Sequence, residues 1–150
     1  MRIALACALV GCAYQPGSFA HAPKDFAGQQ VTVGCLDLTV ERRADLSIGP
    51  VLRYQFANRC DHATMIDLAS VAVVGRNAEG RDVALQPYDP QAELHPAALD
   101  GRNVGGEALV YPASGAILEI CVDAATLAHA GSPRWLCFGS PLRPIVGRAP

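Results

Sequence analysis

The 150-residue sequence predicts an all-β domain built from two packed antiparallel sheets. Short runs alternate apolar and polar residues with a period of two, most cleanly over residues 51–58, where Leu52, Tyr54 and Phe56 face inward and Arg53 and Gln55 outward. Glycine, proline and asparagine fill the gaps between runs, where turns are required. Apolar residues make up 51% of the chain and charged ones 17%, with no low-complexity block, so one domain has the material for a real core.

Residues 13–30 contain Pro16, Gly17, Pro23 and Gly28 and no apolar period, which predicts a flexible tether. Alternation begins at residue 31 and runs to Val40, with Leu36, Leu38 and Val40 expected in the core and Asp37 and Thr39 toward water. A charged stretch over 41–45 and a turn over 47–50 lead into the run at 51–58. Residues 66–74 carry Ile66, Leu68, Val71, Val73 and Val74 and read as one strand, which stops at a turn over 75–80 and returns along 81–86. Pro87, Pro90 and Pro96 predict irregular chain with one short strand near residues 93–99.

Two further strands are expected at 107–111 and 116–122, joined by a turn over 112–115. Asp123 is placed to cap one short helical turn near 123–130, which Gly131 and Pro133 end. Residues 135–138 form the last strand, and 139–150 a proline-bearing tail. Seven or eight strands over about 100 residues match an immunoglobulin-like antiparallel β-sandwich, so residues 31–138 are the expected domain.

The N-terminus has a different logic. Arg2 is followed by an unbroken apolar run, residues 3–10, and by a small residue, Gly11: the charged, apolar and small-residue regions of a secretory signal. Eight apolar residues fall far short of the ~20 that span a bilayer, so this is no transmembrane helix. A buried cytosolic strand is the plain alternative. Leu9-Val10-Gly11-Cys12, however, resembles the lipobox of bacterial lipoproteins. That resemblance implies cleavage between Gly11 and Cys12 and acylation of the new N-terminal Cys12, an anchor in which several acyl chains hold stably where one would not. A signal spanning residues 1–11 is shorter than the usual ~15–30 residues, which points to a natural start upstream of Met1. Ala13, non-acidic after the lipidated cysteine, resembles the outer-membrane sorting signal of Gram-negative lipoproteins.

Without the signal, eleven basic residues stand against fourteen acidic ones, a net charge of −3 that offers no footprint for nucleic acid. Of the six cysteines, Cys7 leaves with the signal and Cys12 takes the lipid. Cys35, Cys60, Cys121 and Cys137 remain, an even number suited to two disulfides in an oxidising compartment. Four cysteines allow three pairings; Cys35 with Cys60 and Cys121 with Cys137 is the favoured one, because each pair brackets consecutive strands able to lie side by side. Residues 99–112 also resemble the glycine turn and following strand found in several families of bacterial immunoglobulin-like lipoproteins of unknown function. The resemblance bears on the fold and says nothing of a ligand, since such folds host unrelated functions.

Catalytic signatures are sparse. No C-x-x-C offers closely spaced thiolates for a metal, and no cofactor motif of the G-x-G-x-x-G or G-x-x-x-x-G-K-[ST] type occurs. Cys60-Asp61-His62 sets a thiol and an imidazole two residues apart, but Cys60 is spoken for by a disulfide and no metal ligand is assigned. His21, His95 and His129 fall in tether, loop and helical turn, and Met65 is the lone methionine after processing. Ser114 and Ser140 lie beside glycines yet lack a nucleophile elbow, and the pairs Asp61/Asp67 and Asp82/Asp89 read as solvated loop carboxylates. No catalytic residue is therefore assigned. A contact role falls to the loop around Tyr88 and Asp89, an aromatic between prolines on a rigid scaffold, weighed against Tyr88 packing over the end of the core. Trp135, two residues before Cys137, is expected to cover a disulfide. The expected role is a lipid-anchored, non-enzymatic envelope protein, on the outer membrane and facing periplasm or cell surface, that binds a protein partner; an envelope-enzyme or protease inhibitor is the alternative.

Overall fold

The computed structural model describes residues 28–88, 94–127 and 131–141. The first sheet contains β1 (Gln29–Val33), β2 (Leu36–Arg42), β3 (Val51–Asn58) and β8 (Val104–Val110), in the order β1-β2-β3-β8. The second contains β5 (Val73–Asn77), β6 (Asp82–Leu85), β9 (Ile117–Asp123) and β10 (Trp135–Gly139), in the order β10-β9-β5-β6. A two-stranded ribbon, β4 (Thr64–Ile66) with β7 (Ala97–Leu99), completes the described strands, and a single turn of helix, α1 (Ala124–Leu127), follows β9. Every pairing is antiparallel.

The predicted sandwich is thus present, with eight strands in its two sheets and two more in the ribbon. The order β10-β9-β5-β6 corresponds to the G-F-C-C′ sheet of an immunoglobulin domain and β2-β3-β8 to A-B-E, with β1 added outside. No helix among the described residues is long and apolar enough to cross a membrane.

Period-two alternation decides which residues meet between the sheets. Leu36, Leu38, Val40, Leu52, Tyr54 and Phe56 are all buried, as their spacing predicts, against Val73, Ile120, Val122, Leu136 and Phe138 of the other sheet. Fully burying side chains of this size contributes about 1.5–3 kcal/mol each. One buried cation joins the sheets at their rim. Arg42, its side chain only 3% exposed, pairs with Asp45 at 2.7 Å and donates to the carbonyl oxygens of Ile117 at 2.7 Å and Phe138 at 3.3 Å.

Several expectations need correction, among them the start of the strand expected at 107–111, which begins at Val104. The first alternating run is two strands, because Gly34 adopts φ +57° and folds residues 29–42 into a tight hairpin; residues 29 and 30, expected in the tether, form the start of β1. Thr39 is 4% exposed and faces neither water nor a partner, its Oγ1 lying buried without a hydrogen bond among the described residues. The run at 66–74 is broken by Asp67, whose carboxylate accepts from the N–H groups of Ala69 and Ser70 and turns the chain between β4 and β5. Gly75, Arg76 and Asn77 continue β5 instead of turning, and a side chain at Gly75 would meet Leu85 and Ile117, so a glycine here lets the second sheet close on its own core.

Candidate functional site

Polar chemistry gathers at the end of the sandwich where three turns meet: Gly34–Cys35 between β1 and β2, residues 59–62 after β3, and residues 100–103 before β8. Cys35 and Cys60 are joined as a disulfide with Cα atoms 5.4 Å apart. The ladder explains why they meet, since Leu36 pairs with Asn58 and the next residues outward are brought together, with the Arg59 N–H donating to the Cys35 carbonyl at 2.7 Å.

Asn58 holds this corner together. It is fully buried, and its side-chain amide donates to the carbonyls of His62 at 2.7 Å and Leu99 at 2.9 Å while its oxygen accepts the Cys60 N–H at 3.0 Å. A buried amide with this many partners fixes the loop that carries Asp61 and His62. The opposing turn closes from the other side. Arg102, with φ +60°, donates its N–H to the Cys60 carbonyl at 3.0 Å, and a Cβ on Gly101 would lie 2.5 Å from the Asp61 carbonyl oxygen, so the loops touch backbone to backbone and only glycine fits.

His62 lies across this corner. Its Nε2 is 4.0 Å from Cys35 Sγ and its Nδ1 3.2 Å from Asp61 Oδ1. The hydrogen bond from His62, with a backbone hydrogen bond at Asp61 itself, holds the Asp61 carboxyl below its usual range. Cys35 Sγ, Cys60 Sγ and a His62 ring nitrogen all lie within 4.8 Å of one another. Sequence spacing brought Cys60 and His62 to notice, and the favoured disulfide already placed Cys35 beside Cys60; the fold adds that His62 Nε2 reaches Cys35 Sγ.

The second disulfide, Cys121–Cys137, lies in a different setting. The two cysteines are directly opposed across the β9–β10 ladder, Cα atoms 4.0 Å apart. Trp135 lies on the same face and lines a shallow hollow of about 240 Å³ together with both cysteines, Arg76 and Glu119, while remaining 48% exposed. The buried Asp123 anchors the end of this ladder, accepting the N–H groups of Ala125 at 3.0 Å and Arg134 at 2.7 Å; this is the expected cap of the helical turn, extended by a second bond across the loop.

Of the two loop residues expected to make contacts, Tyr88 is 49% exposed and hydrogen-bonded through its N–H to the Val110 carbonyl at 2.8 Å, so it does not cover the core. Asp89 lies outside the described residues, as do Cys12 and the signal. Beside the ribbon is an apolar groove of about 390 Å³, whose lining includes Phe56, Ile66, Leu68, Leu94, Leu99 and Glu107. The short strand expected near residues 93–99 is β7; its partner, residues 64–66, was not expected as a separate strand, so the ribbon that forms one wall of the groove went unforeseen. The roles of Asn58, Gly101 and Arg42 were missed too, although Asn58, ending a strong strand before Arg59-Cys60, and Asp100-Gly101 both carry legible turn signals.

No family model matches the chain, and no curated protein matches it. Among solved structures the chain is similar to the crystal structure of the YjhA protein from Bacillus subtilis, at 10% identity and a TM-score of 0.47, over 67% of this chain and 81% of that one.

Proposed function

We propose that this protein is a lipid-anchored envelope lipoprotein whose β-sandwich acts by binding another protein and catalyses nothing. The sequence Leu9-Val10-Gly11-Cys12 behind an apolar run carries the reading, since it resembles a lipoprotein processing site. Two disulfides in a domain of this size accord with life in an oxidising compartment. The apolar groove beside the ribbon and the half-exposed Tyr88 supply contact surface of the aromatic and aliphatic kind that protein interfaces favour. In this reading the lipid holds the domain at the outer membrane and the sandwich reaches a partner in the periplasm or at the surface.

A second reading is favoured by Tyr88 alone. A half-exposed aromatic on a loop held to a rigid sheet by the Val110 hydrogen bond suits insertion into the cleft of a protease or other envelope enzyme. Mass spectrometry of the mature N-terminus tests the anchor: Cys12 is expected to begin the chain and carry acyl groups, and an unmodified Cys12 within a longer soluble chain overturns it. Photocrosslinking in intact cells from Tyr88 and from Leu99 tests the contact: one reproducible partner at either position supports binding, loss of a protease's inhibition on Tyr88→Ala selects the inhibitor reading, and no adduct at either position removes both.

A further inference from the structure

We propose that Cys35, Cys60 and His62 form a redox-gated site for Zn2+, closed while the disulfide is intact and opened by its two-electron reduction. Tetrahedral zinc, with Zn–S bonds of about 2.3 Å and Zn–N bonds of about 2.0–2.1 Å, sets its donor atoms roughly 3.6–3.8 Å apart. His62 Nε2 already stands 4.0 Å from Cys35 Sγ, and all three donors fall within 4.8 Å, so the imidazole is close to where a zinc ligand belongs. Only the two sulfurs must part, which rotation of the cysteine side chains supplies.

The backbone has no reason to follow them. Arg59 and Arg102 hold the Cys35 and Cys60 carbonyls, Asn58 holds the Cys60 N–H and the His62 carbonyl, and none of these bonds depends on the disulfide. Asp61 Oδ1, 3.2 Å from His62 Nδ1, favours the tautomer with its proton on that nitrogen and leaves the Nε2 lone pair free to bind metal, the carboxylate–histidine arrangement usual in zinc sites. Two thiolates neutralise the cation, and the exposed side of His62 leaves a fourth position to water. Among the described residues this is the one place where three such donor atoms cluster so closely.

The chemistry balances in two steps. An external dithiol attacks the Cys35–Cys60 bond, the S–S bond breaks, and the dithiol is oxidised to its own disulfide as two electrons and two protons pass to the cysteines. Zn2+ then displaces both thiol protons to the solvent and takes up His62.

The test uses the full-length chain with Cys7, Cys12, Cys121 and Cys137 replaced by alanine, so that Cys35 and Cys60 are the remaining cysteines. After phosphine reduction, calorimetric titration with Zn2+ is expected to show one ion per chain, and Co2+ to give the visible bands of a tetrahedral site with sulfur-to-metal charge transfer. His62→Ala should weaken binding at least ten-fold and shift the Co2+ spectrum, Asp61→Asn should weaken it by about ten-fold, and the oxidised chain should not bind. If reduction unfolds the chain, Zn2+ should refold it as followed by circular dichroism. Equal binding by the oxidised chain, an unchanged affinity and spectrum in His62→Ala, or a reduced chain that neither binds zinc nor refolds with it overturns the proposal.

Discussion

The two disulfides close loops of similar length, 25 and 16 residues, yet belong to halves of the sandwich built on different principles. Cys121–Cys137 lies within a ladder whose inward residues, among them Val73, Ile120, Val122, Leu136 and Phe138, are apolar; the one buried carboxylate, Asp123, stands at its end. Cys35–Cys60 lies beyond a ladder end, in turns, and its sheet carries polar groups into the interior: Thr39, Asn58, and the hydroxyl of Tyr54 hydrogen-bonded to that of Tyr111. The difference teaches where specificity has been placed. An apolar half is held by area, whereas the first half is held by directional bonds that fix one loop arrangement and, with it, the position of His62.

Loop entropy alone does not separate the two bonds. It assigns about 3.5 kcal/mol to Cys35–Cys60 and about 3 kcal/mol to Cys121–Cys137, so Cys35→Ala/Cys60→Ala and Cys121→Ala/Cys137→Ala are expected to cost nearly the same in denaturant titrations. A gap above roughly 2 kcal/mol means that one bond is strained or that its half survives without it. The anchors should differ more. Asn58→Ala leaves the carbonyls of His62 and Leu99 and the N–H of Cys60 unpaired and is expected to cost about 3 kcal/mol, while Asp123→Ala removes a helix cap and frees two N–H groups and should cost about 1–2 kcal/mol. Equal losses would erase the contrast between the halves.

The tyrosine pair makes the first half sensitive to alkali. Burial pushes both Tyr54 and Tyr111 above the ordinary phenol value, with Tyr54 raised further by its neighbour. The unfolded chain releases these protons near pH 10 while the folded one retains them, so stability is whole below that pH and falls as pH rises, by up to about 1.4 kcal/mol per pH unit for each tyrosine. Unfolding titrations between pH 8 and pH 11 of Tyr54→Phe/Tyr111→Phe should show a shallower decline than the parent chain, and an unchanged slope removes the pair as its source. The smallest effect belongs to Thr39. With its hydroxyl buried and unpartnered, Thr39→Val should raise stability by about 1 kcal/mol in the same measurement.

How much of this was legible in the sequence follows the same division. The apolar half reads directly: alternation marks Ile120 and Val122, the Asp123 cap announces the helical turn, and Cys121 and Cys137 are nearly adjacent across one short loop. In the polar half the strand residues from Leu36 to Phe56 were equally plain, and the hairpin at Gly34 left a trace too, since the apolar positions shift from odd (Val31, Val33) to even (Leu36, Leu38, Val40) across it. Thr39 could not be told from a surface threonine by pattern, since period two assigns faces and the hairpin changes what each face meets. The corner at His62 also rests on contacts that residues 58–62 make with residues 35 and 99–102, which are distant in sequence and joined by topology. Arg42 is one charge in the charged stretch 41–45, and nothing local shows that Ile117 and Phe138 offer it their carbonyls.

The pairing of the four cysteines tests this division of the molecule most directly. Peptide mapping of the unreduced protein by mass spectrometry is expected to recover Cys35 linked to Cys60 and Cys121 linked to Cys137, with no crossed species. A peptide joining Cys35 or Cys60 to Cys121 or Cys137, or four free thiols in protein taken from its native compartment, would contradict both the separate closure of the two halves and the corner built on the first.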